Sequence, residues 1–184
     1  MKRNLMKIEK GWLVLIIIIG GLAVLGSYLY GAITQPGAAD ILWGGVPQGI
    51  RPIYTANMLL ATTSFFIFSF YILFRDIPNE LSFSNRFGYW VFPILYAAIL
   101  FPSAMWLPLT IGAVAQTSIL LLWLVRIVLV VVGAASVSLF ILLWKSKPRP
   151  PSLLDWLAIA GCGFFCIQTA ILDALVWNIF FKLE

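Results

Sequence analysis

A chain of 184 residues that is 62% hydrophobic and only 10% charged lies far from soluble domains, in which about a quarter of residues are charged. Its formal charge of +5 does not indicate nucleic acid, because the basic residues occupy short polar segments between long apolar runs instead of one continuous face. With no histidine and only two cysteines, the chain lacks the usual haem and copper ligands, most zinc sites and the commonest general base, and no cofactor is expected.

Lys2, Arg3, Lys7 and Lys10 precede a charge-free run, Gly11–Tyr30. At about 20 residues this run exceeds the core of a signal peptide and reads as a membrane anchor, helix 1. Gly20, Ala23 and Ser27 fall on one side of it, where small residues let a second helix approach closely. A glycine-rich loop over 31–51 follows, carrying Pro36, Asp40, Trp43 and Pro47. Pro52 is placed as a helix-opening proline. It starts helix 2, about 53–74, whose Tyr54, Asn57, Ala61, Ser64 and Phe68 recur at helical spacing as a semi-polar stripe.

Arg75, Asp76, Glu80 and Arg86 mark a short polar loop over 75–88. Helix 3 is expected over about 89–107, kinked at Pro102 and ended by Pro108, with an uncharged loop over 110–117. Helix 4 spans 118–144. The run Lys145–Pro151 breaks the chain, and Ser152 with Asp155 three residues on has capping-box spacing at the start of helix 5, 153–181. Cys162 and Cys166 stack on one face of that helix as small apolar side chains. The fold class is therefore all-α. A single integral membrane domain over 1–184 forms a five-transmembrane-helix bundle, with the lipid bilayer as its solvent.

Nine of the twelve Lys and Arg residues fall in 1–10, 75–88 and 145–152, on one side of such a bundle. Arg51 and Lys182 fall on the other, and Arg126 lies within helix 4. The positive-inside rule then puts the N-terminus in and the C-terminus out. Trp12, Trp90, Trp144 and Trp156 at inner helix ends, and Trp43, Trp106 and Trp177 toward the outer side, form two aromatic belts consistent with that orientation. The basic bias suits a plasma (cytoplasmic) membrane.

Two charges stand inside apolar helices: Arg126 in helix 4 and Asp173 in helix 5. Each such charge costs at least about 2.5–3.5 kcal/mol on insertion scales and calls for a partner or a task. Each lies eight residues from its outer helix end, roughly 12 Å deep, on helices joined by a short loop. An intramembrane salt bridge pinning helices 4 and 5 is the expected arrangement. Two alternatives stay open: the pair lines an outward-facing cavity, or Arg126 snorkels while Asp173 stays protonated. Gln168, about 140° round an α-helix from Asp173, is expected to face a different neighbour.

Tyr54, Asn57, Trp106, Trp123 and Trp177 fall at the same level as Arg126 and Asp173. Together they are the candidate ligand-binding residues, walling an aromatic pocket open to the outer leaflet. Belt aromatics and interhelical hydrogen bonds account for the same residues without a ligand. No nucleophile motif, phosphate loop, paired carboxylates or metal-ligand cluster occurs, so no catalytic residue and no metal site are assigned and an enzyme is not expected.

In plan, the chain resembles the TspO/translocator-protein family. The likeness rests on five helices at this length, many tryptophans, Trp43, Pro47 and Pro52 around a long first loop, and Trp106 late in helix 3. The family's tighter Trp-x-Pro-Pro pattern is missing from 42–52. The resemblance implies binding of porphyrins, sterols or similar flat apolar ligands in the bundle. The expected function is thus non-enzymatic binding or movement of a hydrophobic or amphipathic small molecule in the outer half of the bundle. The alternative is a scaffold or accessory subunit, with a homo-oligomer or membrane-complex partner.

Overall fold

The computed structural model describes residues 2–35, 37, 42–75, 88–146 and 151–183, with the side chains of 2–7 left aside. The expected roles of Pro36, Asp40, Asp76, Glu80, Arg86, Lys147 and Arg149 lie outside the described residues. Five helices are long and apolar enough to cross a membrane, and there is no strand among the described residues. These are α1 (Lys2–Thr34), α2 (Arg51–Phe74), α3 (Val91–Ala115, entered through a 3₁₀ turn at Gly88–Trp90), α4 (Ile119–Ser146) and α5 (Leu153–Cys166). The last of these continues without a break as a π-helix, Ile167–Trp177, and a final α-turn, Asn178–Phe180. The first part of α1, the ends of α2 and α4 and the starts of α3 and α5 share one end of the bundle, here the N-terminal end. The 1–2 and 3–4 connections share the C-terminal end.

Local chemistry accounts for most helix limits. Pro52 lies in the first turn of α2, where its missing N–H has no helical acceptor to lose. Ser152 caps α5: its Oγ accepts from the Asp155 backbone N–H at 3.4 Å, and Asp155 Oδ2 accepts from the Ser152 N–H, completing the capping box. Helix 3 departs from expectation. It runs through both Pro102 and Pro108 to Ala115. Each proline removes one bond from the ladder, yet in an apolar medium leaving the helix would orphan many more backbone groups. The chain stops instead at Thr117, whose φ of 46° places it in the left-handed region. There Ser118 N–H reaches Ala113 O at 3.0 Å and Thr117 N–H reaches Val114 O at 3.3 Å, a Schellman closure that turns the chain into α4 within three residues.

Helix neighbours do not follow chain order. α1 packs on α3, α3 on α4, α4 on α5 with its π segment, and α5 on α2, while α2 and α1 touch only lightly. Small residues set these seams. A Cβ on Gly20 would lie 2.6 Å from Leu100 Cβ, so α1 and α3 nearly touch there. The close-approach stripe of α1 is Gly20, Val24, Ser27 and Gly31, all at least partly buried; Ala23, expected on it, is exposed. Gly133 of α4 faces the backbone of Ala170, and Gly161 of α5 faces Ser64 of α2. All five stripe residues of α2 are buried, as their spacing requires.

The core divides by level. At the N-terminal end Leu13, Phe68, Tyr71, Ile72, Phe92, Tyr96, Leu139 and Ile159 close a dense plug drawn from every helix. At the C-terminal end Val46, Tyr54, Val125, Leu172, Trp177 and Phe181 form a second cluster with no buried residue from α1.

Candidate functional site

The expected salt bridge is absent. Arg126 and Asp173 form no ion pair; Arg75 with Asp155 is the ion pair among the described residues. Register explains this. Ser136 Oγ and Thr169 Oγ1 lie 2.6 Å apart, fixing the level at which α4 meets α5. From there Arg126 is ten residues along α4, about 15 Å, whereas Asp173 is four residues along α5, at most about 6 Å. Equal counts from the helix ends had suggested equal depth, but the ends are not flush, and the π segment alters the rise and phase of the stretch that carries Asp173. The Arg126 guanidinium instead lies 5.0 Å from the ring centre of Trp123, which is 55% exposed on the outside of the bundle. Arg126 Nε is buried without a hydrogen-bond partner.

The π-helix builds a different constellation. Its i→i+5 bonding widens each turn, so residues five apart come together. Gln168 Nε2 donates to Asp173 Oδ1 at 2.9 Å, contrary to the α-helical phase that separated them. Asn57 Nδ2 of α2 donates to Gln168 Oε1 at 3.1 Å and to the Phe164 carbonyl at 3.2 Å. The Tyr54 hydroxyl donates to the carbonyl of Leu172, the residue before Asp173. A line of polar groups therefore crosses from α2 to α5 and ends on a partly buried carboxylate. Neither Gln168 nor Tyr28, which joins Tyr54 within electrostatic reach of Asp173, had been singled out as a ligand residue. Only the π register reveals the first, and only the packing of α1 on α3 reveals the second.

Aromatic rings on the same stretch pack on one another. Trp177, four residues on from Asp173, stacks on Phe181 at 4.1 Å and donates from Nε1 to the Leu42 carbonyl at 2.8 Å, tying the first loop to α5. Trp106 of α3 stands edge-on to Trp177 at 6.0 Å and lies 6.2 Å from Tyr28, with its own Nε1 buried and unpartnered. Trp43 packs edge-on against Tyr54 at 5.7 Å, and Arg51 lies over its other side at 5.5 Å. Of the seven candidate residues, Tyr54, Asn57, Trp106, Asp173 and Trp177 thus gather on the π segment and its neighbours. Arg126 and Trp123 lie apart, on the outward side of α4.

At the opposite end Asp155, fully buried, is the strongest polar centre. Its Oδ1 accepts from the Tyr71 hydroxyl at 2.8 Å. Its Oδ2 accepts from the Ser152 N–H and Oγ, each at 2.5 Å, and from Arg75 Nη2 at 3.3 Å. Every acceptor on this carboxylate is used to tie α2 to α5, which marks it as structural. Two surface hollows lie at this end too, one of about 410 Å³ bounded by Phe70, Tyr71, Phe74, Arg75 and Leu154. The other, of about 330 Å³, is bounded by Phe140, Ile141, Trp144 and Lys145. Neither touches the π segment. Among the described residues no group of three His, Cys, Asp or Glu side chains converges to hold a metal ion. Cys162 and Cys166 are free thiols, and Cys162 is fully buried in the core.

No family model, curated protein or solved structure matches this chain.

Proposed function

We propose that this chain is a non-enzymatic membrane protein that binds or moves a hydrophobic or amphipathic small molecule in the C-terminal half of the bundle. The convergence of Tyr54, Asn57, Trp106, Trp177 and Asp173 on an eleven-residue π-helix carries this reading. Long π segments are rare and collect at functional sites, because the widened turn gives up regular packing. A flat apolar ligand of the kind the translocator-protein resemblance implies would lie against Trp106 and Trp177, with Gln168 and Asp173 offering polar contacts. The site predicts saturable thermal stabilisation of purified protein by members of a lipid, sterol and porphyrin panel, weakened at least several-fold by Trp106→Leu. No stabilisation by any member would overturn it.

A second reading, an accessory subunit of a larger membrane complex, draws on Arg126. Its guanidinium and Trp123 lie toward the outside of α4, and the buried Nε lacks a partner within the chain. A helix of another protein bearing a carboxylate would satisfy it. A stoichiometric partner that co-purifies with the wild type and is lost from Arg126→Leu would decide for this role.

The orientation belongs to the same proposal: N-terminus in, C-terminus out, in a plasma membrane. The exposed rings of Trp12, Trp90, Trp144 and Trp156 girdle the N-terminal end. A cysteine introduced as Lys182→Cys is expected to react with an impermeant maleimide added to intact cells. Reaction only after the cells are opened would reverse the assignment.

A further inference from the structure

Asp173 is an intramembrane carboxylate without a counter-charge among the described residues. Gln168 is the one hydrogen-bond donor to it among the described residues, and that donor uses Oδ1. No described cation pairs with it. Asp155 shows what a structural carboxylate in this protein looks like: fully buried, with four donated hydrogen bonds, a paired arginine and a cap to maintain. Asp173 has one donated bond and remains partly open. Tyrosine and tryptophan side chains, not cations, are its described neighbours. Tyr28 and Tyr54 stand within electrostatic reach, Trp177 is four residues along the same widened helix, and Trp106 bridges Tyr28 to Trp177. A carboxylate with few donors, near tyrosine and tryptophan side chains, suits a bulky organic cation: the acid neutralises the charge, while nearby rings can contribute cation–π attraction and apolar contact.

Access fits the same class of ligand. At this level α1 seats Ser27 and Gly31 against α3 but adds no residue to the hydrophobic cluster, and its contact with α2 is slight. Tyr28 of α1 is 43% exposed beside the cluster, so a lipophilic molecule can approach from the bilayer side. An inorganic cation would find one free carboxylate oxygen and one amide, far short of the six to eight oxygens a hard divalent ion takes.

We propose that the π-helix site takes a lipophilic organic cation, an ammonium or phosphonium whose charge is met by Asp173 and whose apolar body lies among Tyr28, Tyr54, Trp106 and Trp177. This deepens the small-molecule reading above and rests on it. Tetraphenylphosphonium and tetraphenylborate test it, since they share shape and differ in the sign of charge. Quenching of tryptophan fluorescence in purified protein is expected to be saturable with the phosphonium, at an affinity at least tenfold above that for the borate. Asp173→Asn is expected to remove most of that preference. Equal affinities for the two ions, or a tighter borate, would overturn the proposal in the wild type alone, whether or not the variant folds. An unchanged phosphonium preference in folded Asp173→Asn would overturn it too. If neutral sterols or porphyrins stabilise the protein while the two ions bind alike, the cation inference fails and the small-molecule reading stands. If no ligand of any charge binds, both fail.

Discussion

Asp155→Ala is expected to lower the unfolding free energy by about 3 kcal/mol, at the lower edge of the range for breaking a buried pair. The carboxylate is fully buried and accepts from Tyr71, from Arg75 and from the backbone and hydroxyl of Ser152. Alanine would orphan the Tyr71 hydroxyl, remove the Asp155 half of the capping box and free the Arg75 guanidinium in one step. Because the Arg75 side chain is 34% exposed it can turn toward water, which holds the cost below that of a charge trapped in the interior. Arg75→Ala should cost less, about 1–2 kcal/mol, since three donors still serve the carboxylate. Thermal melts of both variants in one detergent check the order. If Arg75→Ala is the more damaging, charge neutralisation and not the hydrogen-bond set holds this corner together.

The second large effect is steric. Gly20→Leu is expected to cost about 1–3 kcal/mol or to prevent assembly, because even the first carbon of the new side chain would sit 2.6 Å from Leu100 Cβ. That neighbouring atom is attached directly to the α3 backbone, so no flexible tip can swing aside and the two helices must separate. Association here relies on close backbone approach, since lipid competes equally for apolar contact. Gly21→Leu is the matched control: one residue on, with nothing within 4 Å of the added carbon, it should melt within about 0.5 kcal/mol of wild type. Equal losses at the two positions would show that helix propensity or insertion, not the α1–α3 seam, governs the response.

The chain's apolar runs made the five helices legible, because each is bounded by a proline, a cap or a basic cluster whose effect is local. Pro52 and the Ser152–Asp155 box acted where their spacing placed them. Pro108 did not, since losing one hydrogen bond is a smaller cost in an apolar medium than ending a helix early. The candidate site was legible as a set of residue types at one level. Tyr54, Asn57, Trp106, Asp173 and Trp177 do gather, because polar and aromatic residues at one depth of adjacent helices seek each other out of the lipid.

Partner identity was not legible. Arg126 and Asp173 looked matched by counting residues from the ends of idealised α-helices. That count assumes flush ends and about 1.5 Å of rise throughout. The π segment breaks the second assumption, and the Ser136–Thr169 contact sets a register that breaks the first. Likewise Arg75 read as a loop charge and Asp155 as a cap, and only the packing of α2 on α5 joins them. Composition, periodicity and capping act over one or two turns, so by themselves they determined that this chain forms five membrane-length helices and, to within a residue or two, where α2 to α5 begin; α1 instead starts at Lys2, nine residues before its apolar run. Helix order depends on contacts between residues far apart in the chain, such as Gly20 with Leu100 and Asn57 with Gln168. The tertiary structure alone decided which charge is a strut and which is left with a single hydrogen-bond donor.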